Sequence, residues 1–199
     1  MANNCWNFIT INGLTKETKK ELISWIGTYK DFDCLNEWVE SYITKENRIE
    51  QASENDFTSY GAKWFDVEIE DFNEEEDDTL ILCGDSAWGP MDGLCLVLSK
   101  QLQCVIEIEY EECGNDFGGI SKYENGIQTE ENEMTYWEYR YLSEGFSWLL
   151  EEITSFHEEE EGYKEALERL KEGNITLTDE QLNVVRANMG LEPLVKTEA

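Results

Sequence analysis

Two short segments of this 199-residue chain place a carboxylate at every second position. Asp66, Glu68 and Glu70 alternate with Phe65, Val67 and Ile69, and Glu107, Glu109 and Glu111 alternate with Ile106, Ile108 and Tyr110. A period of two is that of an extended strand, so each acid triplet occupies one face and its apolar neighbours the other. Same-face neighbours on a strand stand about 6.8 Å apart, twice the roughly 3.4 Å charge spacing along one DNA strand. The chemistry open to such an array is electrostatic. A row of fixed carboxylates can engage a basic groove built for phosphates; the same row can also serve as a solvated face that keeps the protein in solution.

Residue types suited to catalysis do not assemble. The one histidine, His157, precedes Glu158 to Glu161 on a helical pattern and reads as a solvated side chain. A serine or cysteine nucleophile is therefore left without a base. Cys5, Cys34, Cys83, Cys95, Cys104 and Cys113 lack zinc-knuckle and cluster-ligand spacing. Gly114, Gly118 and Gly119 do not form a phosphate loop, and the acidic run Asp71 to Asp78 lacks the ligand order of a calcium loop. Among 45 acidic residues no pair is marked as a glycosidase acid and base. The expectation is a non-enzymatic protein with no catalytic residues, metal or cofactor.

The acids are concentrated. Residues 51–162 hold 4 basic and 30 acidic side chains, −26 of the chain's net −30. Such a field repels nucleic acid and anionic membrane and steers toward cationic partners. Aromatics make up 12% of the chain, with 7 Trp, 9 Tyr and 8 Phe, and argue for a packed core rather than a disordered acidic tail. No apolar run approaches the roughly 20 residues that span a bilayer. The start, Met1-Ala2-Asn3-Asn4, carries no basic and apolar leader, so a cytoplasmic protein with reduced thiols is expected.

The elements that must hold the acid triplets follow from periodicity. Residues 5–12 are rich in β-formers and end at Gly13, predicting a first strand. Thr15 caps a helix through about Tyr29, and Asp33 a second pattern with Leu35, Trp38, Val39 and Tyr42 on one face. Residues 64–71 and 79–83 read as a hairpin with an acidic loop. Residues 91–102 read as a helix, 104–112 as a strand, and Ile120 to about Tyr123 as a last strand closing at Asn125-Gly126. Residues 134–162 predict a long helix or pair with an aromatic stripe, continued over 163–172. Thr178 with Gln181 opens a final helix that stops at Gly190. The order is that of an α+β, ferredoxin-like split βαβ fold, an antiparallel sheet with helices on one face. Residues 1–128 form the acidic domain, and 129–199 a helical extension packing on it. Its stripe is expected to be covered by the domain or, in a weak dimer, by another copy.

Four segments carry a resemblance. Asn4-Cys5-Trp6-Asn7 with Ile9, Ile11 and Gly13, then Tyr60-Gly61-Ala62-Lys63-Trp64, then Ser86-Ala87-Trp88-Gly89-Pro90, then Tyr110 to Gly119, resemble in order the motifs of YubB-type ferredoxin-like proteins of phages and plasmids. Cys5 and Trp6 stand in reversed order relative to that family. The resemblance covers residues 4–126 and implies a mobile-element origin and a ferredoxin-like fold without a cluster; it implies no catalytic activity. The resulting expectation is a phage-type protein that binds and inhibits a basic host defence protein, a nuclease or CRISPR-type effector, by mimicking nucleic acid. Asp66, Glu68, Glu70, Glu107, Glu109 and Glu111 would carry the charge and Trp64 and Trp88 would anchor. The alternative is an assembly protein oligomerising through its C-terminal helices.

Overall fold

The computed structural model describes residues 4–29, 39, 41–48, 60–71, 78–155 and 160–194. Their contacts divide the chain into two compact units, Met1–Glu133 and Met134–Ala199.

The first unit is α+β, with a six-stranded antiparallel open sheet. Its elements are β1 (Asn4–Asn12), α1 (Lys16–Tyr29), β2 (Phe65–Asp71), β3 (Leu80–Ala87), α2 (Asp92–Leu102), β4 (Val105–Glu112), β5 (Phe117–Glu124) and β6 (Ile127–Met134). The sheet runs β2-β3-β1-β4-β5-β6, so β1 sits near the middle and the two acid-bearing segments, β2 and β4, are not neighbours. Alternation sets the buried side. Ile9 and Ile11, Val67, Leu80 and Leu82, and Ile106, Ile108 and Tyr110 share one core with Leu22 and Ile26 of α1 and Leu94 and Leu98 of α2. Both helices thus cover the same face. Thr15 caps α1 through its hydroxyl, which accepts from Thr18 N–H at 3.1 Å. Val39 and Tyr42 also reach this core. The rest of the second helical pattern, with Asp33, Leu35 and Trp38, lies outside the described residues, as do Cys34 and His157.

β6 departs from expectation. Its sequence, Ile-Gln-Thr-Glu-Glu-Asn-Glu-Met, carries no apolar face and is exposed almost throughout. It is an edge strand, held by backbone pairing after the Asn125-Gly126 turn, and its glutamates blunt the edge against association. β6 pairs onto the sheet, and the first compact unit runs to Glu133.

The second unit contains α3 (Tyr136–Glu144), α4 (Phe146–Ser155), α5 (Glu160–Glu172) and α6 (Asp179–Asn188). The long pattern breaks at Gly145, whose φ of +77° ends α3. Thr178 and Gln181 form a reciprocal capping box on α6. Trp137, Leu149, Ile153, Tyr163 and Leu170 are buried together, with Tyr136, Tyr141, Phe146 and Trp148 packed on them. The aromatic stripe therefore finds cover within its own unit, because the break at Gly145 lets the two halves fold against each other. Among the described residues no helix is long and apolar enough to cross a membrane.

Candidate functional site

The face of the sheet opposite α1 and α2 carries all six expected acids, but in two rails rather than one field. Asp66, Glu68 and Glu70 are exposed on β2; Glu107, Glu109 and Glu111 are half-buried on β4. Two strands intervene, so the rails stand three strand spacings apart, about 14 Å. Register gives the rows between them. Asp66 is opposite Asp85, Asp85 opposite Trp6, and Trp6 opposite Glu111. Next come Glu68, Cys83, Phe8 and Glu109, and then Ile81, Thr10 and Glu107. A bulge between Ile69 and Asp71 leaves Glu70 out of the ladder.

Between the rails lies an apolar strip. Trp6 is 41% exposed, Phe8 and Ile81 are half-buried, and Cys83 is buried. On the far side of β4, Ile120 is 42% exposed. Within the β4 rail, Lys122 Nζ lies 2.9 Å from Glu107, which raises the pKa of the lysine through that hydrogen bond and charge.

Trp64 and Trp88 sit where β2 begins and β3 ends, at the end of the sheet that also holds Trp6. Trp64 is half-buried and its carbonyl accepts from Ala87 N–H at 3.3 Å. Trp88 is 50% exposed with φ +68°, a backbone state that an aromatic residue rarely takes. The residue that sequence reasoning passed over as a site is Trp6. Both parities of β1 carry apolar side chains, so alternation alone does not say whether Trp6 or its neighbours Cys5 and Asn7 face the core.

Beneath this end a buried polar network joins two of the four resemblance-bearing segments. Asn7 is fully buried; its Nδ2 donates to the carbonyls of Cys5 (2.8 Å) and Gly84 (3.3 Å) and to Ser86 Oγ (2.7 Å). Its Oδ1 accepts from Met91 N–H at 3.0 Å, tying β1 to the start of α2. Ser86 Oγ also donates to Gly89 O at 2.6 Å. Tyr60 O accepts from Leu94 N–H at 3.1 Å. In the fourth segment, the Glu112 carboxylate accepts from Gly114 and Asn115 N–H, closing the turn between β4 and β5. The satisfied bonding of these groups marks them as supports for the fold.

Among the described cysteines, Cys5, Cys83, Cys95 and Cys104 are buried and Cys113 is exposed. Cys5 is pushed up to about 12 and Cys104 to about 11, mainly by desolvation, so these thiols stay protonated at neutral pH. Among the described residues no group of three or more His, Cys, Asp or Glu is placed to hold a metal ion. Asp92, at the start of α2, accepts from Tyr123 OH at 2.6 Å. Desolvation raises its pKa, the tyrosine lowers it, and Glu131 and Glu133 raise it further. A raised folded-state pKa means that the proton stabilises the fold below the ordinary carboxylate range. That stabilisation is lost as pH climbs through the raised value. Asp92→Asn keeps an acceptor for Tyr123 and removes the desolvated charge. Its expected result is a melting temperature a few degrees above wild type at pH 7.5, the gap closing by about pH 4. A lower melting temperature at pH 7.5 would show that the charge-assisted bond and the helix N-terminus outweigh desolvation.

Searches against protein-family models, curated proteins and solved structures return no match to this chain. Function is therefore argued from the geometry.

Proposed function

We propose that this chain is a non-enzymatic binding protein whose open sheet face engages a basic host protein of the nucleic-acid-binding kind. Its effect would be to inhibit that partner, as a mobile-element anti-defence protein does. The observation that carries this reading is the pair of carboxylate rails, Asp66, Glu68, Glu70 and Glu107, Glu109, Glu111, on the face left uncovered by α1 and α2. The strand order β2-β3-β1-β4 supports a ferredoxin-like split βαβ core extended by β5 and β6, the architecture the YubB-type resemblance implies. The joining of two resemblance-bearing segments around Asn7 supports a structural role for those motifs.

The test is capture on the immobilised full chain from nuclease-treated bacterial lysate, eluted by a salt step. Nucleic-acid-binding proteins should be recovered at low salt, released steeply as salt rises, and stripped of bound oligonucleotide by added protein. Glu107→Gln, Glu109→Gln and Glu111→Gln combined should leave the fold intact, since like charges lie at alternate positions of one strand. The combination should weaken capture by about ten-fold, the value of roughly 1.4 kcal/mol. Neutralising three of the acids in residues 158–161 should do less. Equal losses from the two sets would reduce the rails to a solubility field. Recovery of only further copies of this chain would put the assembly reading in its place.

A further inference from the structure

We propose that the open face is a seat for one amphipathic helix of the partner, apolar along the side that meets the sheet and lined by Lys or Arg on both flanks. This deepens the reading above and rests on its assignment of the open face as the binding face. A nucleic-acid mimic needs only an array of negative charge. This face has something more specific, an apolar strip of Trp6, Phe8 and Ile81 in the middle, with Asp66, Glu68 and, at the Trp6 end, Asp85 on one side, and Glu109 and Glu111 on the other. The rails are about 14 Å apart, and a helix with its side chains is about 10–12 Å across. A helix laid along β1 and β3 therefore fits between them, with its cationic side chains reaching a rail on either side. From the Trp6 row to the Thr10 row the strip runs about 14 Å, the length of about nine helical residues.

Charge complementarity selects the occupant. Residues 134–199 carry 15 acidic and 6 basic side chains, so this chain's own helical unit has the wrong sign, and a second copy at net −30 is repelled likewise. An oligonucleotide is excluded by sign. A basic helix with an apolar stripe satisfies both features at once, in the helix-in-groove mode of recognition. Trp6 is the expected anchor, an exposed aromatic at one end of the strip, between Asp85 and Glu111.

The test uses the full chain and two labelled synthetic peptides of about 14 residues and identical Leu/Lys composition. In one the leucines follow helical i, i+3, i+4, i+7 spacing; in the other they are scrambled. By fluorescence anisotropy at physiological salt the patterned peptide should bind at least about ten-fold tighter, a difference worth about 1.4 kcal/mol. Trp6→Ala should remove most of that advantage and leave the scrambled peptide's binding unchanged. Gln at both Glu109 and Glu111 should weaken both peptides. Should Trp6→Ala fail to fold by circular dichroism, Ile81→Thr on the same strip reads the same contrast. Equal binding of the two peptides, insensitive to Trp6, overturns the helix seat while leaving the charged face in force as a diffuse array. Binding of neither peptide, alongside successful lysate capture that the Glu107, Glu109 and Glu111 substitutions do not touch, overturns the open face itself.

Discussion

Replacing Asn7 with alanine is expected to cost about 3–5 kcal/mol, the range reached when several buried hydrogen bonds lose their partner together. One fully buried amide serves four groups: the carbonyls of Cys5 and Gly84, Ser86 Oγ and Met91 N–H. Removing it strands the Met91 donor outright, because α2 has no side-chain cap of its own at that residue. The Cys5 carbonyl keeps only a longer contact with Ser86 Oγ at 3.3 Å, whose one hydrogen is shared with Gly89 O at 2.6 Å. Asp at position 7 does no better. A carboxylate still accepts from Met91 N–H but offers no donor to the two carbonyls, and it adds a charge beside Cys5, which already feels Glu112, Asp92 and Asp85. Thermal melts followed by circular dichroism should show a fall on the order of 10 °C at this chain length. A loss below about 1 kcal/mol would mean that water replaces the amide and that the network is not what joins β1 to α2.

Asn7 also shows where reading a sequence stops. The acid triplets were legible because strand alternation is local: Ile106, Ile108 and Tyr110 are buried and the intervening glutamates face outward, as the period of two requires. The caps at Thr15 and Thr178 were legible for the same reason, since a cap and its partner lie three residues apart. Nothing local distinguishes Asn7 from a loop asparagine; apart from the Cys5 carbonyl, its partners lie 77 to 84 residues away. The separation of the two acid rails was equally hidden. It depends on β3 and β1 inserting between β2 and β4, a fact of strand order that no single segment encodes. β6 was missed because an edge strand with two wet faces has no hydrophobic period to read. Trp6 was visible as a residue but not as a site, because β1 is apolar on both parities and only the placement of α1 and α2 decides which side is open.

Gly84→Ala should detach one rail from the sheet. Gly84 lies in β3 opposite Val67 of β2, with φ +149°, and a Cβ there would drive into the backbone carbonyl of Asp66. Neither partner in that collision is a side chain that can swing aside, so the expected cost is on the order of 3 kcal/mol or more. How the cost is met follows from topology. Among the described residues β2 is an edge strand paired with β3, whereas β3 is held on its other side by eight residue pairs with β1. Shedding β2 is therefore less costly than opening the sheet. Hydrogen exchange should show protection lost over residues 65–71 and retained in β1 and β4, a local opening rather than global unfolding. Function should follow the strand. With Asp66 and Glu68 no longer registered across from Glu111 and Glu109, the patterned basic peptide should lose about ten-fold in affinity, roughly 1.4 kcal/mol. The scrambled peptide, which needs only net charge, should lose far less. If β2 protection disappears and the patterned peptide binds as before, the second rail plays no part in recognition, and a one-sided acidic face on β4 is all that the partner reads.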